Sequence, residues 1–168
     1  MLETINEDIF DRLPTASAIC IPTNCSLLKD GTNPMGALAG AAAARWKELP
    51  VIYGRMLIAL PNVPCIMGWA SKRDPSVFIS LFDVDDCGFA DPATAIVAFP
   101  TMHHIGQPAD LNLVVRNTKL LVELTELCGW ETVCGVRFGC GVGGLDYATQ
   151  VKPALEQILD DRFVIMHK

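Results

Sequence analysis

Residues 137–147 read Arg137-Phe138-Gly139-Cys140-Gly141-Val142-Gly143-Gly144-Leu145-Asp146-Tyr147. The glycines at 139, 141, 143 and 144 leave this backbone bare. Side chains there would block the approach of another group, and only glycine takes a positive φ at little cost. The amides of such a loop can face one concavity and cradle a diphosphate, and the N-terminus of a following helix adds its dipole. Read without a ligand, the same stretch is a tight strand-to-helix turn. Its flanks set its place in the fold. Residues 132–138 form a short apolar run of strand type, and 147–160 carry a helical pattern.

Working outward, the same alternation recurs. Residues 16–22 and 94–99 are short apolar runs, each predicted as a buried strand, and 163–166 give a last one. Residues 35–46 are alanine-rich and predict a close-packed helix, since alanine has the best helix propensity. Residues 109–128 predict a long amphipathic helix, with Gly129 as its cap. Residues 65–70 and 77–82 predict a strand pair around a turn at Asp74-Pro75, and Pro50, Pro61 and Pro64 read as punctuation before it. Strands alternating with helices imply an α/β sheet covered on both faces. No linker or repeat divides 1–168, so one domain is expected. In such sheets ligands bind beyond the carboxyl ends of the strands. Two loops leave strand ends there and enter helices: 23–36 and 139–147. In the first, Asn24 has an amide that offers both donor and acceptor to ribose hydroxyls, or to its own turn.

Composition narrows the function. The net charge is −6 with no basic block, which disfavours strong nonspecific nucleic-acid binding. An anionic small ligand is compatible, because loop amides hold phosphate whatever the net charge. Cys20, Cys65, Cys128 and Cys134 sit in apolar stretches and read as buried thiols of a reducing compartment. No C-x-x-C pair occurs, so no metal is expected. The N-terminus is acidic and lacks the apolar run of a signal peptide, and no stretch is long enough to span a bilayer, so a cytoplasmic location and no membrane partner are expected.

Taken in order, Glu7-Asp8-Ile9-Phe10, Asn24, Met35-Gly36 before a small-residue helix, Phe99-Pro100-Thr101 and the 139–147 loop resemble the macro domain family. The branch they resemble contains the antitoxin that removes ADP-ribose from DNA and its phage-borne relatives. The resemblance covers nearly the whole chain and is vaguest over 57–91. It implies a three-layer α/β/α fold with a mixed central sheet, in the cytoplasm of a bacterial cell or a phage-infected host. It implies a cleft for ADP-ribose or an ADP-ribosylated macromolecule, with no cofactor. By position, Asp8 would accept from the adenine amino group and Ile9 would lie beside the ring. Asn24 would contact the distal ribose. Met35, Gly36 and Ala37 would form one wall of the diphosphate site. Gly139, Cys140, Gly141, Val142, Gly143, Gly144 and Leu145 would form the other. Met166 and His167 stand where relatives often stack an aromatic on the adenine.

Two departures bear on catalysis. Relatives that cleave ADP-ribose from DNA or carboxylate esters place a lysine after F-P-T, where this chain has Met102. Methionine is neither base nor nucleophile. Some relatives carry an aspartate within the second glycine loop, where this chain has Gly143; Asp146 follows and reads as a helix cap. The catalytic candidates that remain are Asn24 and His103, the latter as a general base or acid. An ADP-ribose binder, an ADP-ribosyl hydrolase and a phosphatase acting on ADP-ribose 1″-phosphate all fit such a cleft. A dinucleotide-dependent oxidoreductase fits poorly. Its G-x-G-x-x-G spacing is missed by one residue, and the loop falls near the C-terminus rather than in a first βαβ unit.

Overall fold

In the computed structural model, which describes residues 1–84 and 92–167, seven strands form one sheet. They are β1 (Leu2–Ile5), β2 (Ala18–Asn24), β3 (Cys65–Ser71), β4 (Phe78–Ser80), β5 (Ala93–Met102), β6 (Val133–Val136) and β7 (Phe163–His167). The helices are α1 (Ala37–Arg45), α2 (Leu49–Ala59), α3 (Leu111–Cys128) and α4 (Lys152–Glu156). Spatial order is β1-β7-β6-β2-β5-β3-β4. The strands from β1 through β5 in that order pair parallel, while β3 pairs antiparallel with both β5 and β4. The sheet is therefore mixed.

Period-two alternation along the central strands builds two cores. On β2, Ile19 and Ile21 face a cluster with Trp46, Leu49 and Tyr53, which come from the α1–α2 side. Ala18 and Cys20 face the other cluster, with Val114 and Leu121 of α3 and Leu155 of α4. On β5, Ile96 and Ala98 join the first, and Val97 and Phe99 the second. Neither sheet face is left to water, which gives the three layers expected from alternating strands and helices. Phe99 and Phe138 stack with centroids 4.0 Å apart and fix the end of β5 against the 139–147 loop.

Several sequence expectations are corrected. Residues 49–59 were expected only as proline-punctuated chain, yet they form α2. Pro50 lies in its first turn, where a missing N–H costs nothing. The expected helix over 147–160 is shorter and irregular. Tyr147–Val151 is a π-turn with Val151 N donating to Asp146 O at 3.1 Å, and α4 follows with Pro153 in its first turn. Pro153 has no N–H with which to continue a regular i→i+4 ladder from the preceding turn. Cys128 is exposed rather than buried, since the last turn of α3 runs past the core and leaves Leu127 85% exposed too. The expected Gly129 cap is present, at φ 65°. Of the stretch 57–91, residues 85–91 lie outside the described residues.

Candidate functional site

The parallel strands β2, β5 and β6 end on the same side of the sheet, and a cavity of about 290 Å³ opens there. Thr23 and Asn24 line it from the end of β2, and Thr101 and Met102 from the end of β5. A bulge between Thr23 and Asn24 sets Asn24 opposite Met102. Gly36, Ala37, Leu38 and Ala39 line it from the start of α1, and Arg137, Gly139, Gly141, Val142 and Gly143 from the second loop. Ile105 and Gly106 complete the rim.

The glycines of the second loop serve different ends. At Gly143 a Cβ would come within 2.6 Å of both Ala109 Cβ and Gly139 O, and at Gly139 within 2.8 Å of Leu145 Cδ1, so both are packing requirements. Gly144 has φ 74°. Gly141 has open space where a Cβ would be, and it lines the cavity. The amides of Gly141, Val142 and Gly143 donate to no acceptor among the described residues. Across the cavity, the first amides of α1 have no intrahelical acceptor either. Two sets of uncommitted N–H groups thus border one cavity, and a helix N-terminus adds positive potential. That helix is α1. The helix expected to contribute from the second loop does not, because Asp146 already caps it, accepting from Thr149 N and Oγ1 at 2.7 Å each. Ala37, the first residue of α1, has φ 48°, an unusual strain for a side-chain-bearing residue and one that lies in the cavity wall.

Asn24 is held rather than free. Its Nδ2 donates to Pro34 O at 3.0 Å, and its Oδ1 accepts from Ser26 N at 2.9 Å. Asn33 Nδ2 reaches Asn24 O at 3.0 Å, Asn24 Oδ1 at 3.2 Å and Ser26 O at 2.8 Å. The first loop is therefore cross-braced by one buried amide.

Of the residues expected from sequence, the cavity brings together Asn24, Gly36, Ala37, Gly139, Gly141, Val142 and Gly143. The others lie apart from its lining. Asp8 accepts from Phe10 N at 3.0 Å and caps a 3₁₀ turn over Ile9–Arg12, in which Ile9 is buried. Met35 is half-buried against the α1–α2 core. Leu145 packs into the other core, beside Cys140. Cys140 Sγ donates to Phe138 O at 3.4 Å, and burial pushes its thiol up to about 11. A reactive thiolate is thereby disfavoured at neutral pH. His103 Nε2 lies 3.1 Å from Asp110 Oδ2, a partner that nothing in the sequence identified. Asp110 also caps α3 through Asn112 N, and its carboxyl is held below the usual range chiefly by the His103 hydrogen bond, which outweighs burial, with smaller help from the α3 amides. Arg137 was missed, although it opens the decisive stretch. Its signal is a lone cation at the end of an apolar strand. Among the described residues, no group of three or more His, Cys, Asp or Glu side chains is placed to hold a metal ion, and no helix is long and apolar enough to cross a membrane.

This architecture is that of a macrodomain: a mixed seven-stranded sheet between helical layers, with a cleft at the strand ends. Within that fold, the chain is similar to DarG structures. It matches the macrodomain of Thermus aquaticus DarG with a TM-score of 0.69 at 20% identity, covering 100% of this chain and 98% of that one. It matches the Mycobacterium tuberculosis DarG macrodomain with a TM-score of 0.63 at 19% identity, covering 98% and 97%. Thermosipho africanus DarTG in complex with ADP-ribose gives a TM-score of 0.73 at 16% identity; all of this chain is covered but only 42% of that one. No family model matches the sequence, and no curated protein matches it.

Proposed function

We propose that residues 1–168 act as a single macrodomain of the DarG-like branch that binds ADP-ribose, free or attached to a macromolecule. The diphosphate lies between the start of α1 and the second glycine loop. The observation that carries this reading is the pair of uncommitted amide sets, at Gly141–Gly143 and at the start of α1, on opposite walls of one cavity. The solved likeness with ADP-ribose supports it. The test is calorimetry with ADP-ribose on the wild type and on Gly141→Val. The new side chain meets no protein atom where its Cβ starts and stands on a residue that lines the cavity, so the variant should fold normally and lose binding. Full affinity in folded Gly141→Val refutes the placement.

A hydrolytic reading has one observation in its favour, the His103–Asp110 pair, of which His103 falls in sequence between the lining residues Met102 and Ile105. A carboxylate that orients an imidazole is a common arrangement for a general base. Against it, His103 is not in the cavity wall, and the residue opposite Asn24 is Met102. Losing a positioned acid–base group typically costs ~10²–10⁴-fold. The wild type is therefore a binder that releases ADP-ribose from modified DNA slowly or not at all. Incubation with ADP-ribosylated DNA tests this. Rapid turnover that His103→Ala abolishes would overturn it.

A further inference from the structure

Arg137 follows β6 directly and is the one ionisable side chain among the described residues that line the cavity. In a chain of net charge −6, such a cation would ordinarily find a carboxylate. Arg137 forms no ion pair among the described residues, and its charge is only the least of the effects on the Glu3 carboxyl. The nearby candidate, Glu3, is bound to Lys152 Nζ at 2.7 Å, and that hydrogen bond is the chief reason its carboxyl is held low. Asp146 is committed to Thr149. What holds Arg137 is an aromatic face. Its Cζ lies 4.4 Å from the centroid of the Tyr147 ring. Tyr147 itself is half-buried among the apolar groups around α3 and α4, at the start of the turn that Asp146 caps.

A guanidinium stacked on a ring keeps its edges free. Those edges carry five N–H donors in a fork that fits a phosphate bidentately, and the stacking has already removed much of the side chain's freedom. We propose that Arg137 is an anion-recognition residue of this cavity, taking a phosphate oxygen of a nucleoside diphosphate ligand, and that Tyr147 is the positioning residue that presents it. The proposal rests on the ADP-ribose reading above and adds to it a charged contact beside the neutral amides. Amides alone bind phosphate through partial charges, and the field of an anionic chain opposes a dianion as it approaches. A full positive charge carried by a residue of the cavity wall offsets that field, and its contribution must fall as salt rises.

The test is calorimetry of the full chain with ADP-ribose at several salt concentrations. Arg137→Met keeps an unbranched, flexible apolar stem and removes the charge. It should weaken binding about 10- to 100-fold, the range for a lost charge-assisted hydrogen bond, and flatten the salt dependence. Arg137→Gln serves the same purpose if the methionine variant is poorly folded. Tyr147→Leu should weaken binding with the charge still present, and Tyr147→Phe, which keeps the ring, should restore it. Wild-type affinity and salt slope in Arg137→Met overturn this inference alone. Weaker binding with an unchanged salt slope also overturns it, since that marks a structural role. No binding by the wild type overturns both this inference and the ADP-ribose reading beneath it.

Discussion

Replacing Asn33 with alanine should loosen the first loop and weaken the site without touching the cavity wall. Asn33 is 2% exposed, and its Nδ2 serves acceptors on Asn24 and Ser26 at 2.8–3.2 Å. Two hydrogens are shared among three acceptors, so the loss is about two bonds' worth, each ~0.5–1.5 kcal/mol net. Asn24 Oδ1 keeps Ser26 N, but the carbonyls of Asn24 and Ser26 lose this donor. An opposing term exists. Asn33 Oδ1 is buried with no partner, and deleting it removes a desolvation cost on the order of 1 kcal/mol. The balance is a loss centred near ~1 kcal/mol, or ~2–4 °C in Tm for a domain of this size. Urea unfolding measures the first figure and calorimetry with ADP-ribose the functional consequence, which should be a weaker Kd because Asn24, which lines the cavity, loses its brace. An unchanged urea midpoint would refute the reasoning. A lower midpoint with unchanged affinity would show that the brace stabilises the loop without shaping the site.

Ala37→Gly should raise stability by about 0.5–1 kcal/mol, because the φ of 48° costs an alanine ~1–2 kcal/mol and the glycine returns part of that as unfolded-state entropy; a lower urea midpoint would sink the strain argument. Gly143→Val should destabilise the fold by roughly 1–3 kcal/mol through overpacking, in contrast to Gly141→Val, since its Cβ would stand 2.6 Å from Gly139 O. Equal thermal stability of the two variants would show that the loop yields freely. Asp110→Ala should cost ~1 kcal/mol at neutral pH through loss of the α3 cap. The Asp110 carboxyl is depressed in the folded state, so its stabilisation is present above the unfolded carboxyl pKa of ~3.9 and lost as pH falls through the folded value. Urea midpoints of wild type and variant should therefore converge in acid; a gap that persists there would mean that the side chain acts by packing.

The layered fold was legible because its signals are local and redundant. Ile19, Cys20 and Ile21 form a run too apolar for a one-sided strand, which required cover on both faces, and both faces are covered. The helix expected over 109–128 repeated its apolar positions at helical spacing before a terminal glycine, and α3 runs Leu111–Cys128. Where reading failed, two signals competed. Pro50 is a breaker in the interior of a helix and an ordinary residue in its first turn, and only tertiary burial of Leu49, Ile52 and Tyr53 decides between them. Leu127 fits the stripe of α3 but lies on a turn that outruns the sheet. Periodicity reports which side a residue faces and says nothing of whether a neighbour is there.

The site was legible in its backbone and much less so in its side chains. Four glycines before a turn announce bare amides, yet one string of glycines conceals three duties. Gly139 and Gly143 admit neighbours, Gly139 and Gly144 admit a left-handed backbone angle, and Gly141 alone of the four combines open space with a place in the cavity wall. The roles assigned to side chains depend on contacts far apart in sequence. Arg137 was unremarkable because its meaning lies in what Glu3 does: once Lys152 holds that carboxylate, the guanidinium is left to the Tyr147 ring and the cavity. His103 likewise gains a meaning only from Asp110, whose other oxygen is spent on Asn112 N. That aspartate thus serves a cap and an imidazole at once, and His103 is the larger influence on its charge. The start of α3 accounts for one oxygen of Asp110, and only the His103 contact through the other bears on the hydrolytic reading.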